Sequence, residues 1–230
     1  MNQQPKAAAI IVAAGSGTRM EGIDKVLAPI ADIPVLLRAT RPFQECPAIF
    51  RIIIVVSGEK ERMCRRLMTG KEWSKVVEIC LGGARRQDSV AEGLKHIGDA
   101  EWVVIHDGAR PLVTVDIIER GLEAVRETGA AVAAMPVKDT IKVVDGNSIV
   151  IDTPSRISLQ AVQTPQVFRS EMIRMAYYQD APEVTDDATL VERMGQKVKL
   201  YPGSYDNIKI TTPDDLALAE LLLKKRETQA

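Results

Sequence analysis

The sequence, 230 residues long, predicts an α/β fold with a mostly parallel central sheet and helices on both faces. Three observations carry that reading. Apolar runs of strand length, such as Ala7 to Ala13 and Arg51 to Ser57, are continuous rather than alternating, the pattern of strands buried on both faces. Segments of helical length separate them, as crossover connections in a parallel sheet require. Glycines and charged residues gather directly after the apolar runs, at strand ends where such sheets bind ligands.

The first strand, Ala7 to Ala13, breaks into Ala14-Gly15-Ser16-Gly17-Thr18-Arg19-Met20, with Lys25 close behind. Glycines after a buried strand let backbone N–H groups approach an anion, and two cations on the same loop neutralise it. This reads as a nucleotide triphosphate site. A dinucleotide fingerprint would need a third glycine where Met20 stands and an acidic residue where Ser57 stands. A P-loop would need Gly-Lys-Ser/Thr, but Lys25 lies between Asp24 and Val26. A plain strand-to-loop turn is the competing reading, because Gly-x-Gly alone is weak.

Further elements follow in order. Ile33 to Leu37 opens a helix, with Pro34 in its first turn. Arg51 to Ser57 is a strand, Glu59 to Met68 a helix, and Val76 to Leu81 a strand ending in Gly82-Gly83. A helix over Ser89 to Ile97 precedes the strand Glu101 to His106, which runs into Asp107-Gly108-Ala109-Arg110. Asp116 to Glu127 is helical and Ala130 to Val137 a small-residue strand. Thr140 to Val144 and Ser148 to Asp152 flank Asp145-Gly146-Asn147, a hairpin signal. A lone hairpin is marginal in water, so this arm, about 138–160, is expected to lean on a second subunit. Helices near Ser170 to Tyr178 and Asp186 to Met194, and strands at Lys197 to Tyr201 and Asn207 to Ile210, come next. Thr212 is the expected N-cap of a last helix that starts at Pro213. One domain, 1–230, is expected.

Composition narrows the function. Lys+Arg at 30 against Asp+Glu at 31 leaves no general affinity for nucleic acid or anionic membrane. No apolar run is long enough to span a membrane, and Met1 to Lys6 lacks a signal-peptide profile. Three cysteines without metal-ligand spacing argue against a disulfide framework and for a reducing cytoplasm. Two histidines, with no Ser/His/Asp or Cys/His pattern, disfavour a nucleophilic hydrolase.

Four clusters could carry chemistry. Arg19 and Lys25 address a triphosphate. Gly82 to Ser89 either meets a base edge or is a βα turn in which Asp88 or Ser89 caps a helix. Asp107, at a strand end, suits a hard cation such as Mg²⁺, or another divalent ion, that is otherwise held by substrate oxygens; a turn carboxylate is the alternative. His106 points to the opposite side of its strand and reads as structural. Asp206 to Lys209 is the fourth cluster.

These motifs, together with Asp139-Thr140-Ile141-Lys142 and Gln163-Thr164-Pro165-Gln166, resemble the 2-C-methyl-D-erythritol 4-phosphate cytidylyltransferases of the non-mevalonate isoprenoid pathway. The likeness runs from Ala8 to about Leu222. It implies a Rossmann-like nucleotidyltransferase fold, a homodimer formed partly through the hairpin arm, CTP and methylerythritol phosphate as substrates, and Mg²⁺. By the same resemblance Arg19 and Lys25 stabilise charge at the α-phosphate, and Ala14, Gly83 and Ser89 meet the cytidine, with Ala13, Gly15 and Gly17 in the same loop. The resemblance likewise implies that Asp107 holds the metal. Lys209 and Arg156 from the partner's arm position the second substrate, with Thr140, Arg110, Thr164 and Asp206 nearby. The residue before the loop lysine is commonly proline in that family and is Asp24 here, which loses a fixed φ and adds an anion. Ribitol-5-phosphate cytidylyltransferases share the nucleotide-side motifs; Thr164 to Phe168 with Arg156 favour methylerythritol phosphate. A non-catalytic nucleotide-binding regulator could spare its cations, whereas this chain keeps Arg19, Lys25, Asp107 and Lys209 together.

Overall fold

The computed structural model describes residues 6–15, 24–179 and 182–229. In chain order come β1 (Ala7–Ala13), a short ribbon of β2 (Pro29–Ile30) and β3 (Ile33–Pro34), α1 (Val35–Glu45), β4 (Ile49–Val56) and α2 (Gly58–Leu67). Then follow β5 (Val76–Leu81), α3 (Arg86–Leu94), β6 (Trp102–Asp107), α4 (Val115–Thr128) and β7 (Ala130–Pro136). A hairpin of β8 (Val143–Val144) and β9 (Val150–Asp152) precedes β10 (Gln160–Arg169), α5 (Ser170–Tyr178), α6 (Asp187–Arg193), β11 (Lys199–Pro202) and α7 (Pro213–Gln229).

Seven strands form one sheet in the order β11-β7-β10-β6-β1-β4-β5. Six run parallel, and β10 runs antiparallel to both β6 and β7. Side-chain alternation divides the core. Ala9 and Ile11 of β1 belong with Phe43 of α1, Cys64 of α2 and Ile117 of α4. Ala8 and Ile10 belong with Val90 of α3, Ile173 of α5 and Val191 of α6. Helices therefore cover both faces, and the continuous apolar strands are accounted for. A smaller cluster of Ile30, Leu112, Ile210 and Ala219 seats α7.

The winding places the site. From β1 the chain steps outward to β4 and β5, then returns to lay β6 on the other side of β1. This reversal opens a crevice at the carboxyl ends of β1 and β6, where Val12 pairs with Asp107.

Five details differ from the sequence reading. Ile33 and Pro34 form β3, and α1 starts at Val35 with Pro34 as its N-cap rather than in its first turn. Gln163 to Gln166 lies inside strand β10, whose pairing with β7 shifts register between Val162 and Gln166; Pro165 and the polar neighbours obscure the apolar pattern that marks a strand. Asn207 to Ile210 is not a strand. The Asn207 carbonyl instead accepts from Arg110 at 2.7 Å, and the Ile210 N–H donates to the Ala109 carbonyl at 2.8 Å, so the segment is stitched to the loop after β6. Helix α3 starts at Arg86 rather than Ser89, because the Asp88 carboxylate accepts from the Arg85 N–H at 3.0 Å and fixes the start earlier. The hairpin strands are shorter than expected, and Val144, Ile149, Val150 and Ile151 stay exposed.

Gly93 of α3 sits against β1 and β4, where an added Cβ would lie 2.6 Å from Ile10 Cγ2. Alanine gains at most about 1 kcal/mol of helix propensity over glycine, whereas overpacking a core costs about 1–3 kcal/mol. Gly93→Ala is therefore expected to destabilise the protein, by about 1–2 kcal/mol in urea unfolding; a stabilised variant would mean that α3 can move off the sheet.

Candidate active site

Loop residues after β1 and β5 meet at the crevice. Gly82 is required by close approach, since a Cβ there would lie 2.5 Å from both Ala14 Cβ and Ser89 Oγ. Ser89, in the first turn of α3, accepts from the Gly83 N–H at 3.2 Å. The loop is thus both a capped βα turn and a wall of the cavity. That cavity, of about 310 Å³, is lined by Ala13, Ala14, Gly15, Lys25, Gly83 and Ser89, and also by Arg86, Asp107 and Lys209. A second cavity, of about 470 Å³, shares Arg86, Asp107 and Lys209 and adds Arg110, Gln163 and Thr164.

Asp107 joins the two. Its Oδ1 accepts from Arg86 Nε at 3.1 Å, its Oδ2 lies 2.7 Å from Lys209 Nζ, and Arg110 Nε lies 3.9 Å away. Burial alone would push the Asp107 carboxyl up; Arg86, Lys209 and Arg110 outweigh it and hold the group far below the usual carboxylate range. Burial weakens Arg110 as a cation, and Arg86 adds repulsion. Arg86 is pushed down by burial too, but Asp187 and Asp107 more than offset this. Its two terminal nitrogens meet the Asp187 carboxylate at 3.0 and 2.9 Å, and Tyr177 also donates to Asp187.

Beneath Asp107, His106 is fully buried and faces Phe43. Its Nε2 lies 3.2 Å from the Arg110 carbonyl, which can only accept, so Nε2 carries the proton. Nδ1 then accepts from the Thr164 hydroxyl at 3.1 Å, and that hydroxyl accepts from the Asp107 N–H at 3.0 Å. Thr164 is held by this relay, and His106 is structural, as its strand position implies. Buried Asn207 donates to the Thr164 carbonyl at 2.8 Å.

The fold thus brings together Ala13, Ala14, Gly15, Lys25, Gly83, Ser89, Asp107 and Lys209, with Arg110 and Thr164 adjoining. Arg19 and Gly17 lie outside the described residues. Thr140 and Arg156 line neither cavity: both are exposed on the arm, and Arg156 donates to the Lys138 carbonyl at 2.6 Å. Asp206 lines neither cavity and faces Arg226 of α7 at 3.6 Å. Sequence reasoning missed Arg86, Asp187 and Asn207. Nothing in the sequence separates Arg86 from Arg85; both line the first cavity, but Arg86 reaches Asp107 and Asp187 while Arg85 pairs with Asp88.

The donor set fits one divalent ion carried largely by substrate oxygens. Among the described residues no group of three or more His, Cys, Asp or Glu could hold a metal, and Asp107 is the one carboxylate on the first cavity.

Cations gathered around a buried carboxylate at a switch point suit transfer of a nucleotidyl group, and fold and cavity together define a Rossmann-like nucleotidyltransferase. Comparison with known proteins narrows this. The family model described as 2-C-methyl-D-erythritol 4-phosphate cytidylyltransferase (IspD) matches residues 7–225, and the chain belongs to that family. A protein of that name from Dehalococcoides mccartyi is 48% identical over 220 residues, covering 96% of this chain and 97% of that protein. Another, from Caldanaerobacter subterraneus subsp. tengcongensis, is 48% identical over 223 residues, covering 94% and 98%. Among solved structures, 4-diphosphocytidyl-2C-methyl-D-erythritol synthase from Anaerococcus prevotii is similar with a TM-score of 0.81 at 31% identity, covering 96% of this chain and all of that one. The 2-C-methyl-D-erythritol 4-phosphate cytidylyltransferase of Thermus thermophilus has a TM-score of 0.76 at 30% identity, covering 94% and 98%.

His106 gives the site a pH signature. Burial lowers its pKa from 6.5 to about 4. The unfolded chain therefore binds a proton that the folded chain refuses as pH falls below about 6.5, and stability drops with it. Urea unfolding at pH 7 and pH 5 is expected to differ by about 2 kcal/mol from this group, a difference that His106→Gln removes. An unchanged slope in the variant would show that His106 is not held neutral.

Proposed function

We propose that this chain is a cytidylyltransferase that joins CTP and 2-C-methyl-D-erythritol 4-phosphate into 4-diphosphocytidyl-2-C-methyl-D-erythritol and pyrophosphate. The observation that carries the reading is the family match over residues 7–225, in a chain whose nucleotide loops and phosphate-side cations adjoin at one crevice. An oxygen of the second substrate's phosphate attacks the α-phosphorus of CTP, the new P–O bond forms, and the bond to pyrophosphate breaks. A phosphate monoester near neutral pH is already largely dianionic, so no general base is needed. The protein's work is to hold two polyanions together and offset the charge that grows at phosphorus.

Ala14, Gly83 and Ser89 form the cytidine side. Lys25, with Arg19 by its sequence position, offsets charge at the α-phosphate. Lys209, Arg110 and Thr164 hold the second phosphate. Asp107 would hold Mg²⁺, which would supply charge neutralisation on the triphosphate. Residues 1–230 act as one nucleotidyltransferase unit. Exposed Ile149, Ile151 and Ile157 on the arm support a homodimer in which Arg156 and Thr140 serve the neighbouring site. No helix among the described residues is long and apolar enough to cross a membrane. Three free cysteines, two of them buried, support a reducing cytoplasm.

Pyrophosphate release from CTP and Mg²⁺ is expected with methylerythritol phosphate and not with ribitol 5-phosphate; the reverse would move the enzyme to polyol phosphates. Lys25→Ala should lower kcat on the order of 10²-fold with a far smaller rise in KM for CTP. Unchanged kcat would reduce Lys25 to a binding residue. Mixing Arg156→Ala with Lys25→Ala subunits should recover part of the activity, since one site of a mixed dimer is intact. No recovery in mixed dimers shown to form would rule out sharing of the arm.

A further inference from the structure

The first turn of α2 holds a misfit. A helix N-terminus carries partial positive charge and favours acids, as Glu59 and Glu61 in that turn do. Lys60 lies between them and is only 6% exposed, although lysine is almost never buried without a partner. It lines neither cavity. Its Nζ donates to the Gly15 carbonyl at 3.0 Å and faces Asp24 Oδ2 at 3.2 Å.

Those two partners border the 16–23 stretch, one on each side. Gly15 is on the cavity wall. Asp24 organises the turn that presents Lys25: its Oδ1 accepts from the Val26 N–H at 3.1 Å, and its carbonyl accepts from Leu27 at 3.1 Å and Ala28 at 2.8 Å. One buried ammonium therefore holds both ends of the nucleotide loop and also neutralises the anion next to its lysine.

We infer that Lys60 is a positioning residue for the triphosphate side of the site, tying Gly15 to Asp24 and cancelling the charge with which Asp24 would otherwise repel the nucleotide. The inference rests on the cytidylyltransferase reading for the identity of that nucleotide. Its two parts make separate demands. Loss of Lys60 leaves Asp24 as an uncompensated carboxylate beside a site for a polyanion, which is costly in a partly buried setting. Removal of the Asp24 charge as well should relieve most of that penalty.

The test is a double-mutant cycle over Lys60→Met, Asp24→Asn and the pair, with CTP affinity read by calorimetric titration and KM for each substrate read by pyrophosphate release. Lys60→Met is expected to weaken CTP binding about tenfold and raise KM for CTP in parallel, with KM for methylerythritol phosphate within about twofold of the parent. In the Asp24→Asn background the same change should cost less than about threefold. Lys60→Gln keeps a donor for Gly15 without the charge, and it carries the cycle if the methionine variant does not fold. Lys60→Arg, which keeps the charge, should recover most of the CTP affinity. Equal losses in both backgrounds, or CTP affinity unchanged in Lys60→Met, would overturn the role. A parent protein that binds no CTP would overturn the functional reading itself, and this role with it.

Discussion

The ion pairs of one buried carboxylate organise the polar half of this molecule. Asp107 ends β6 at the switch point and is buried, so its charge is tolerable only while cations surround it. Those cations come from three places: Arg86 from the start of α3, Arg110 from the turn after β6, and Lys209 from the segment before α7. Each needs support of its own. Arg86 is held by Asp187 of α6, Arg110 by the Asn207 carbonyl, and Asn207 by Thr164 of β10. The antiparallel strand, the stitched loop and the helix α6 are all recruited to satisfy one charge.

That balance suits the chemistry. The first cavity, with several cations and one carboxylate among its described lining residues, holds its positive charge in place before substrate arrives, which spares reorganisation when charge develops at phosphorus. Incoming phosphate oxygens can share Lys209 and Arg86 with Asp107, and a divalent ion on Asp107 would take over part of their compensating role. One strand away a second buried cation meets a carboxylate: Lys60 faces Asp24 at 3.2 Å and donates to the Gly15 carbonyl at 3.0 Å.

Most of the sheet and the cation-bearing motifs were legible in the sequence because they depend on local pattern. Continuous apolar runs gave β1, β4 and β6, and Gly-Gly after β5 marked a loop that must approach Ala14 closely. Strand β10 was not legible, since Pro165 and polar Gln163, Thr164 and Gln166 break the apolar pattern while their side chains serve the site rather than the core. Lys209 was visible, but its segment read as a strand because Ile208 and Ile210 alternate with polar residues; tertiary hydrogen bonds to Ala109 and Arg110 decide otherwise. Arg86, Asp187 and Lys60 had no signal, because their roles arise from partners 21, 101 or 45 residues away in sequence. Thr140 was named by resemblance and Arg156 also from its place beside the arm, and within one chain they line neither cavity.

The most direct measurement is urea unfolding of Asp107→Asn at pH 7. If Asp107 compensates the cations around it, its neutral isostere leaves them uncompensated, and the protein should lose about 3 kcal/mol or more of stability. A loss below about 1 kcal/mol would show that Arg86, Arg110 and Lys209 keep their places without it, and that the site is organised by something other than this carboxylate.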